Sequence, residues 1–385
     1  MQFISFIAKN VLRRKVRSAL TGVGVAVAIA AVVGLLGVAR GFEESSRAML
    51  SAHGVDLIVV RSGLGQQATA RIDEAIAKKI DEIPEVADVA PVLTDRVKLA
   101  ETQVPVAVTG LPAGSFPLKN MHIVPGGGHM LTPADKDGVM LGEILARTLN
   151  KKVGDKVNIE KTRDFTVVGI FQGANMFENG GAVALLPDLQ DLMDRKGQVS
   201  EFQLVLKQQF KEEPDAIKRV QDHVKRLADS SGKTYGLEAM TSQDYVSKSN
   251  EVKLSQAMAW MTSAIALIIG AVGMLNTMIM SVLERTQEIG ILRAIGWRKI
   301  RIMRMILWES FSLSLAGAVV GTLAAVVLTR GISRLPAANG LVSPNISPVV
   351  IGIGFLLSLL VGLVGGAYPA LRGASLAPTE ALRYE

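Results

Sequence analysis

Residues 18–39 read SALTGVGVAVAIAAVVGLLGVA, a stretch without a charged side chain that lies between Arg17 and Arg40. An ionised side chain at the middle of a bilayer costs at least about 2.5 kcal/mol, so this stretch predicts a membrane-spanning helix. At about 1.5 Å rise per residue, roughly 20 helical residues cross a hydrocarbon core of roughly 30 Å. The stretch is longer than the apolar part of a cleaved signal peptide, and no A-x-A site follows it. We therefore expect a retained anchor.

Three further apolar stretches have the same character, at residues 254–283, 310–329 and 349–371. The last of them is taken to begin after Pro348, because Pro336, Pro344 and Pro348 oppose a helix before that point. A polar block, residues 40–253, separates the first stretch from the other three. The sequence thus predicts an α-helical membrane protein with four transmembrane helices in a 1+3 arrangement and a large domain between helices 1 and 2.

The distribution of charge predicts the orientation. With a cytoplasmic N-terminus, the cytoplasmic pieces are the basic segment 1–17, the loop 284–309 and the tail 372–385, and residues 330–348 form an outer loop. These three cytoplasmic pieces carry a net charge of +8, whereas the rest of the chain carries −1 of the total of +7. Positive residues favour the cytoplasmic side, so we expect both termini in the cytoplasm. The basic pI then reflects topology and gives no support to nucleic-acid binding.

Within the polar block, short apolar runs predict an α+β extracytoplasmic domain in two lobes, divided by the loop Gly126–Gly128. We expect Pro91 and Pro105 to interrupt two of its strands. The polar segments 41–52 and 242–253 are expected to prolong the first two spans into stalk helices. Predicted strands occupy residues 55–60, 86–97, 104–110, 156–160, 165–171, 182–186 and 202–207, and predicted helices occupy residues 71–83, 141–149, 189–195 and 215–230.

The sequence contains no complete catalytic, metal-binding or cofactor-binding motif. Ser230–Thr234 resembles the end of a phosphate-binding loop, but the Gly required upstream is Leu227. The four histidines show no metal-ligand spacing, and the chain has no Cys, hence neither a disulfide framework nor a thiol nucleophile. We expect no enzyme activity and no cofactor on this chain.

The cytoplasmic loop offers a candidate binding surface. In a helix from Glu288 to Arg298, the side chains of Ile289, Leu292 and Ile295 share one face, at helical spacing. Such an apolar knob fits a groove on a partner protein. The alternative is a helix that lies on anionic lipid, assisted by nearby Arg and Lys side chains.

The spans carry small residues at spacings typical of close helix contacts. Asn276 is the deepest polar residue of the second span, and we expect it to form an interhelical hydrogen bond. The predicted packing residues are Gly22 and Ala26 in span 1, Asn276 in span 2, Gly317 and Gly321 in span 3, and Gly362 and Gly366 in span 4. Few ionisable groups lie inside the spans, which argues against a polar permeation path.

Three stretches resemble one family. Residues 284–296 (ERTQEIGILRAIG) resemble the coupling segment of MacB-type ABC permeases, the superfamily that includes LolC, LolE and FtsX. Residues 368–385 (YPALRGASLAPTEALRYE) are similar to the family's tail, and residues 13–21 (RRKVRSALT) to its N-terminal approach. The resemblance implies an ATPase-coupling site formed by Glu284, Arg285, Glu288, Ile289, Gly290, Leu292, Arg293, Ile295 and Gly296.

The resemblance also implies a function. MacB carries a fused ATPase domain that is not found in these residues, so we expect a separate ATPase dimer that binds ATP and Mg. Other expected partners are a second permease copy or paralogue, membrane lipid and a periplasmic adaptor. The chain would lie in a bacterial inner membrane and transmit motion that exports or extracts a lipoprotein, lipid, peptide or drug. Two alternatives are an FtsX-like regulator of cell-wall hydrolases and, without support from inverted repeats, a secondary transporter.

Overall fold

A computed structural model describes residues 15–63, 70–99, 105–160, 162–211, 213–333 and 345–375. The basic residues 1–14, most of the expected outer loop 330–348 and the tail residues 376–385 lie outside the described residues. The chain divides into two compact units. The membrane unit contains residues up to Gly41 and from Leu254 onward, and the outer unit is Phe42–Lys253.

The described residues form twelve α-helices, one short 3₁₀ helix at Gln208–Phe210, and twelve strands. The helices are α1 (Lys15–Ala52), α2 (Ile76–Asp81), α3 (Phe116–Lys119), α4 (Glu143–Leu149), α5 (Met176–Asn179), α6 (Leu186–Leu192), α7 (Pro214–Arg226), α8 (Ser242–Lys248), α9 (Asn250–Glu284), α10 (Thr286–Ala294), α11 (Lys299–Ser333) and α12 (Pro348–Ser375). The strands are β1 (Leu57–Arg61), β2 (Ile72–Asp73), β3 (Val86–Val97), β4 (Val106–Leu111), β5 (His122–Gly128), β6 (Gly138–Gly142), β7 (Lys156–Ile159), β8 (Arg163–Gln172), β9 (Ala182–Leu185), β10 (Gln198–Val199), β11 (Glu201–Leu206) and β12 (Leu237–Thr241).

Four of the described helices are long and apolar enough to cross a membrane: α1, α9, α11 and α12. The predicted 1+3 arrangement is therefore confirmed. Each helix turns part of its apolar surface inward, where a buried cluster joins all four, and leaves the rest exposed, as lipid contact requires. The buried cluster includes Val25, Ile29, Val32 and Val33 of α1, Met274 and Met278 of α9, Met305 and Ile306 of α11, and Val361 and Ala370 of α12.

One long sheet organises the outer unit, in the order β12-β1-β11-β3-β4-β9-β6-β8-β5. Strand β7 lies off this path and pairs with the first residues of β8, from Arg163 to Thr166. Strand β3 joins two groups of strands. Its first part, Val86–Val92, pairs with β11, and its second part, Leu93–Val97, pairs with β4. Three apolar cores of described residues lie against this sheet, one around Phe165 and Phe202, one around Phe171, and one around Ile58 and Val60 of β1. The predicted α+β domain is present. Gly126–Gly128 was expected to form a loop between two lobes, but these residues end strand β5, and β4 before them pairs with β9 after them.

Strand β3 continues through Pro91, which was expected to interrupt it. Pro91 lies opposite Phe202 of β11, and pairing with β4 on the other side begins only at Leu93. A proline is tolerated where one side of a strand is unpaired, because its missing N–H is then not needed by a neighbouring strand. The interruption predicted at Pro91 is therefore wrong.

The two stalk segments differ from each other. Helix α1 continues without a break from the apolar stretch to Ala52. On the second segment, Ser249 adopts an extended conformation, with φ −60° and ψ 141°, and separates α8 from α9. The expected second stalk is thus two helices, and the Ser249 hydroxyl accepts a hydrogen bond from the backbone N–H of Val252 at 3.2 Å, which caps α9.

Candidate functional site

The segment between the second and third spans is a short helix with a sharp turn at each end. Helix α9 ends at Glu284, Arg285 leaves the helical region, and α10 begins at Thr286. After α10, Gly296 adopts φ +98°, a left-handed conformation that favours glycine. The N–H groups of Gly296 and Trp297 donate to the carbonyls of Arg293 and Leu292, at 3.1 and 3.0 Å. This pair of bonds is a Schellman motif, which fixes where α10 stops.

A buried ion pair anchors the start of this segment. The Nη1 atom of Arg285 lies 3.1 Å from Oε2 of Glu309 on α11, and both residues are buried. The Nε atom of Arg285 also donates to Glu288, at 3.1 Å. The sequence assigned Arg285 and Glu288 to the coupling surface, but it did not predict the pairing with Glu309. That pairing joins α10 to the third span, and no sequence spacing signals it, since 24 positions separate the two residues.

The apolar face predicted from Ile289, Leu292 and Ile295 is divided in the structure. Ile289 is buried in the core of the membrane unit, and Leu292 packs against the same core. Ile295 is 73% exposed. The prediction that all three form one exposed knob is therefore wrong for Ile289 and Leu292, because this face of α10 packs against the membrane unit's own helices. The exposed apolar pair is Ile291 and Ile295, which lie one helical turn apart.

The remaining predicted coupling residues surround this exposed pair in different ways. Glu284, Glu288 and Gly296 are exposed, Gly290 is buried, and Arg293 is half-buried. The Nη1 atom of Arg293 donates to the carbonyl of Trp297 at 3.3 Å. Beyond the turn, the guanidinium of Arg301 lies over the Trp297 ring, 4.5 Å from its centroid. The surface is thus an apolar pair beside acidic and basic groups.

Two predicted glycine pairs lie at helix crossings in the membrane unit. A Cβ added to Gly317 would lie 2.7 Å from Cγ1 of Val25, and one added to Gly321 would overlap the carbonyl oxygen of Ala26. Helix α11 therefore approaches the backbone of α1 too closely for any side chain. Gly22 contributes through its carbonyl oxygen, which lies 3.3 Å from the same added Cβ at Gly317.

The second glycine pair lies between α12 and α11. Added Cβ atoms would lie 2.9 Å from the Cβ of Ser314 at Gly362, and 2.8 Å from the Cβ of Ser310 at Gly366. Both serines are fully buried, and the hydroxyl of Ser358 donates to the carbonyl of Ser314 at 2.6 Å. The serines that meet these glycines were not identified from the sequence, although their spacing of four residues matches that of the glycines.

Asn276 does not occupy the position expected for it. Its side chain is exposed on α9, and among the described residues no hydrogen bond to a neighbouring helix is formed. The predicted interhelical bond within this chain is therefore wrong. Helix α9 is also the least buried of the four spans over its most apolar window, at 22%.

The histidine and acidic side chains were also compared with the requirements of a metal site. Across the described ranges, no group of three or more His, Asp or Glu side chains is placed to hold a metal ion. The histidine that lies deepest, His53, is instead paired with Glu178 at 2.5 Å.

Four helices that can span a membrane, a large α/β domain after the first and a short helix after the second define a multi-pass membrane protein. Residues 18–227 match the MacB-like periplasmic core domain, and residues 260–378 match the FtsX-like permease C-terminal domain. The chain belongs to the MacB-type permease family. The family assignment also makes the outer unit the extracytoplasmic domain.

Individual relatives agree with this assignment. The macrolide export ATP-binding/permease protein MacB of Bdellovibrio bacteriovorus is 28% identical over 401 residues, covering 96% of this chain and 60% of that protein. An uncharacterised ABC transporter permease of Methanocaldococcus jannaschii is 31% identical over 266 residues, covering 67% of this chain and 65% of that protein. The chain thus spans about 60% of the length of the MacB protein.

Solved structures of outer domains are also similar in part. The periplasmic region of MacB from Actinobacillus actinomycetemcomitans matches with a TM-score of 0.39 and 15% identity, covering 51% of this chain and 92% of that one.

Proposed function

We propose that this chain is the permease subunit of an ABC transporter and that a partner ATPase docks on the surface around Ile291 and Ile295. The proposal depends on one observation: Ile291 and Ile295 are exposed at a short helix between two spans. The chain also belongs to a permease family. Large apolar side chains that flank a turn and are rimmed by charge form a small surface that an apolar groove can cover. Docking there would bury both isoleucines.

Motion of the docked segment would reach the spans through rigid connections. Ile289 is packed in the core of the membrane unit, and Arg285 holds α10 to Glu309 of α11. Only Arg285 separates α9 from α10. Because these contacts leave α10 little freedom to move alone, a push on α10 would displace the ends of the second and third spans together. In this proposal the extracytoplasmic domain changes shape in response, which is mechanotransmission.

The proposed substrate is hydrophobic and is taken from the outer leaflet or the periplasm. Each candidate span contains an apolar window of 18 residues with at most two charged side chains. A hydrophilic substrate would need polar groups along a path through the bundle, and such groups are rare in these windows. A lipoprotein, lipid, peptide or hydrophobic drug fits better. Two permease copies, two ATPase subunits, lipid and a periplasmic adaptor complete the proposed assembly in a bacterial inner membrane, with both termini cytoplasmic.

The test replaces the exposed apolar pair by charge. In Ile291→Asp with Ile295→Asp, we expect the permease to remain folded, because neither side chain is buried, and to lose co-purification with its ATPase. Ile332→Asp is the matched control, since Ile332 is an exposed isoleucine at the far end of α11. Binding to the purified ATPase and stimulation of its ATP hydrolysis are measured for both variants in lipid nanodiscs.

Two outcomes would contradict the proposal. One is full stimulation of the ATPase by the double variant. The other is an equal loss in the Ile332→Asp control, which would indicate a general effect of added charge. Ile289→Asp is unsuitable for this test, because a carboxylate at this buried position would destabilise the membrane unit itself.

A further inference from the structure

A cavity of about 350 Å³ lies inside the outer unit, and no step of the proposed coupling uses it. Helix residues form one wall, including Phe42 and Met49 of α1 and Tyr245 of α8. Strand residues of the central sheet form the other wall, including Ala107 of β4 and Glu201 of β11. The volume lies in the range of small-molecule sites, roughly 300 to 1,000 Å³.

The lining is mostly apolar and aromatic. Phe42 packs against Phe177 with ring centroids 4.6 Å apart, and the phenyl ring of Phe177 is still 52% exposed. Met49, Met121 and Phe171 add further apolar surface. Ala107 is exposed although it lies in the middle of the sheet, since its side chain faces the cavity. These side chains would bury the apolar body of a ligand.

The charged groups at the cavity mostly neutralise one another. His53 pairs with Glu178 at 2.5 Å, and Arg96 lies 3.6 Å from Glu251. Glu201 is the exception. Its carboxylate accepts hydrogen bonds from the Tyr245 hydroxyl and from Nε2 of Gln203, the latter at 3.0 Å. Among the described residues, no cationic side chain lies within ion-pair distance of Glu201.

Glu201 is therefore a carboxylate that lacks a counter-charge and opens onto an apolar space. Burial raises the pKa of its carboxyl group, against the hydrogen bonds from Tyr245 and Gln203, which favour the charged form. A cation beside it would remove the cost of ionisation and form a charge-assisted hydrogen bond. An anion would meet repulsion there, and a neutral ligand would leave the carboxylate without a charged partner.

We propose that this cavity binds a small apolar molecule that carries a protonated amine, with the amine on Glu201 and the apolar body against Phe42, Phe177 and Met49. The site goes beyond the coupling function and does not depend on it, because binding needs no ATPase. The walls come from the first stalk helix and from the sheet, so an occupant would contact both.

The test uses three naphthalene probes of nearly equal size on the full chain in lipid nanodiscs. They are 1-naphthylmethylamine, 1-naphthylmethanol and 1-naphthylacetate, which are cationic, neutral and anionic at neutral pH. Calorimetry measures binding, and empty nanodiscs provide the correction for partition into lipid. We expect the amine to bind on the order of tenfold more tightly than the alcohol, as one charge-assisted hydrogen bond implies. The anion should bind most weakly.

Two variants locate the site. Glu201→Gln should reduce the affinity for the amine to that for the alcohol, and Ala107→Trp should abolish binding of both by filling the cavity. Glu143→Gln is the control, because Glu143 lies on α4 and does not line the cavity. In the unmodified chain, ¹³C-methyl signals of Met49 and Met121 should shift on addition of the amine, a measurement that needs no variant of the site.

The proposal is overturned if the amine and the anion bind equally, or if Glu201→Gln retains the preference for the amine. It is also overturned if the methyl signals of Met49 and Met121 stay in place while the amine binds. None of these outcomes would bear on the proposed coupling surface at Ile291 and Ile295.

Discussion

At the scale of single residues, the ion pair of Arg285 and Glu309 is the contact that most constrains the coupling segment. Both side chains are almost entirely removed from solvent, and Arg285 also pairs with the more exposed Glu288. A buried pair is weak evidence of net stability, because desolvation offsets much of the attraction. Removing one partner is a different matter, since the remaining buried charge then loses this ion pair.

We therefore predict that Arg285→Ala destabilises the membrane unit by about 3 to 5 kcal/mol. Arg285→Met combined with Glu309→Gln should lose clearly less, because no buried charge remains. Lys299→Ala, at the exposed first residue of α11, serves as the control and should change stability little. Thermal unfolding in detergent compares the three proteins. A double variant as unstable as Arg285→Ala would show that packing of the arginine, and not charge balance, dominates.

His53 is the second informative residue, because both of its ring nitrogens face acceptors. Nε2 lies 2.5 Å from Glu178, and Nδ1 lies 3.2 Å from the carbonyl of Pro117. Only the doubly protonated ring donates to both. Burial lowers the pKa of His53, but the hydrogen bond and charge of Glu178 and the carbonyl of Pro117 outweigh it, so the pKa is raised above its ordinary value of 6.5.

A raised pKa makes the stabilisation depend on pH in a defined direction. The folded state holds the proton more tightly than the unfolded state does, so the contribution is full below pH 6.5 and is lost as pH rises through the folded pKa. We predict that His53→Asn destabilises the outer unit more at pH 6 than at a pH above that folded pKa. Denaturant unfolding at both pH values measures this, with the exposed His122→Asn as the control. An equal loss of stability at both pH values would show that the charged His53–Glu178 pair does not stabilise the fold.

At the scale of helices, the close approach of α11 to α1 depends on the missing side chain of Gly321. An alanine there would place its Cβ against the carbonyl of Ala26, a backbone atom that cannot move aside. Overpacking of this kind costs typically about 1 to 3 kcal/mol. We predict that Gly321→Ala lowers the unfolding temperature in detergent, whereas Gly331→Ala, with open space at the same helix's end, does not. Equal melting temperatures would mean that the helices separate at little cost.

The sequence predicted the elements whose pattern is local and missed those that depend on a neighbour. Strand β3 was predicted over Val86 to Val97 with a break at Pro91. The bounds agree, because its β-branched residues mark it directly, but the break is absent. The helix predicted at residues 71–83 is a two-residue strand followed by α2 from Ile76, since pairing with β10 takes Ile72 and Asp73. Pairing across the chain overrides local propensity.

The same limit explains the candidate site. Helical spacing placed Ile289, Leu292 and Ile295 on one face, but spacing cannot tell whether a face meets solvent or the protein's own core. Likewise, Asn276 was predicted to bond to a neighbouring helix because of its depth in the span, whereas its side chain lies on the exposed surface of α9. The glycine pairs were predicted to lie at helix contacts, and the structure places them there. Small residues four positions apart are typical of close helix contacts in membranes.

At the scale of the whole molecule, helix α1 belongs to both units, since it is continuous from Lys15 to Ala52. In the second connection, Ser249 is extended and separates α8 from α9. In the proposed mechanism, α1 transmits displacement directly and the Ser249 break allows the second link to bend.

The last prediction concerns the membrane topology. Because the chain has no Cys, an introduced cysteine is the only thiol that a maleimide can label on it. Single cysteines are placed at Lys218, exposed on α7 of the outer unit, and at Ile295, exposed beside α10. We expect a membrane-impermeant maleimide to label Lys218→Cys in intact spheroplasts. Ile295→Cys should react only after the membrane is permeabilised. The reverse pattern would place the coupling surface outside the cell, where no ATP-driven partner can reach it, and would refute the proposed function.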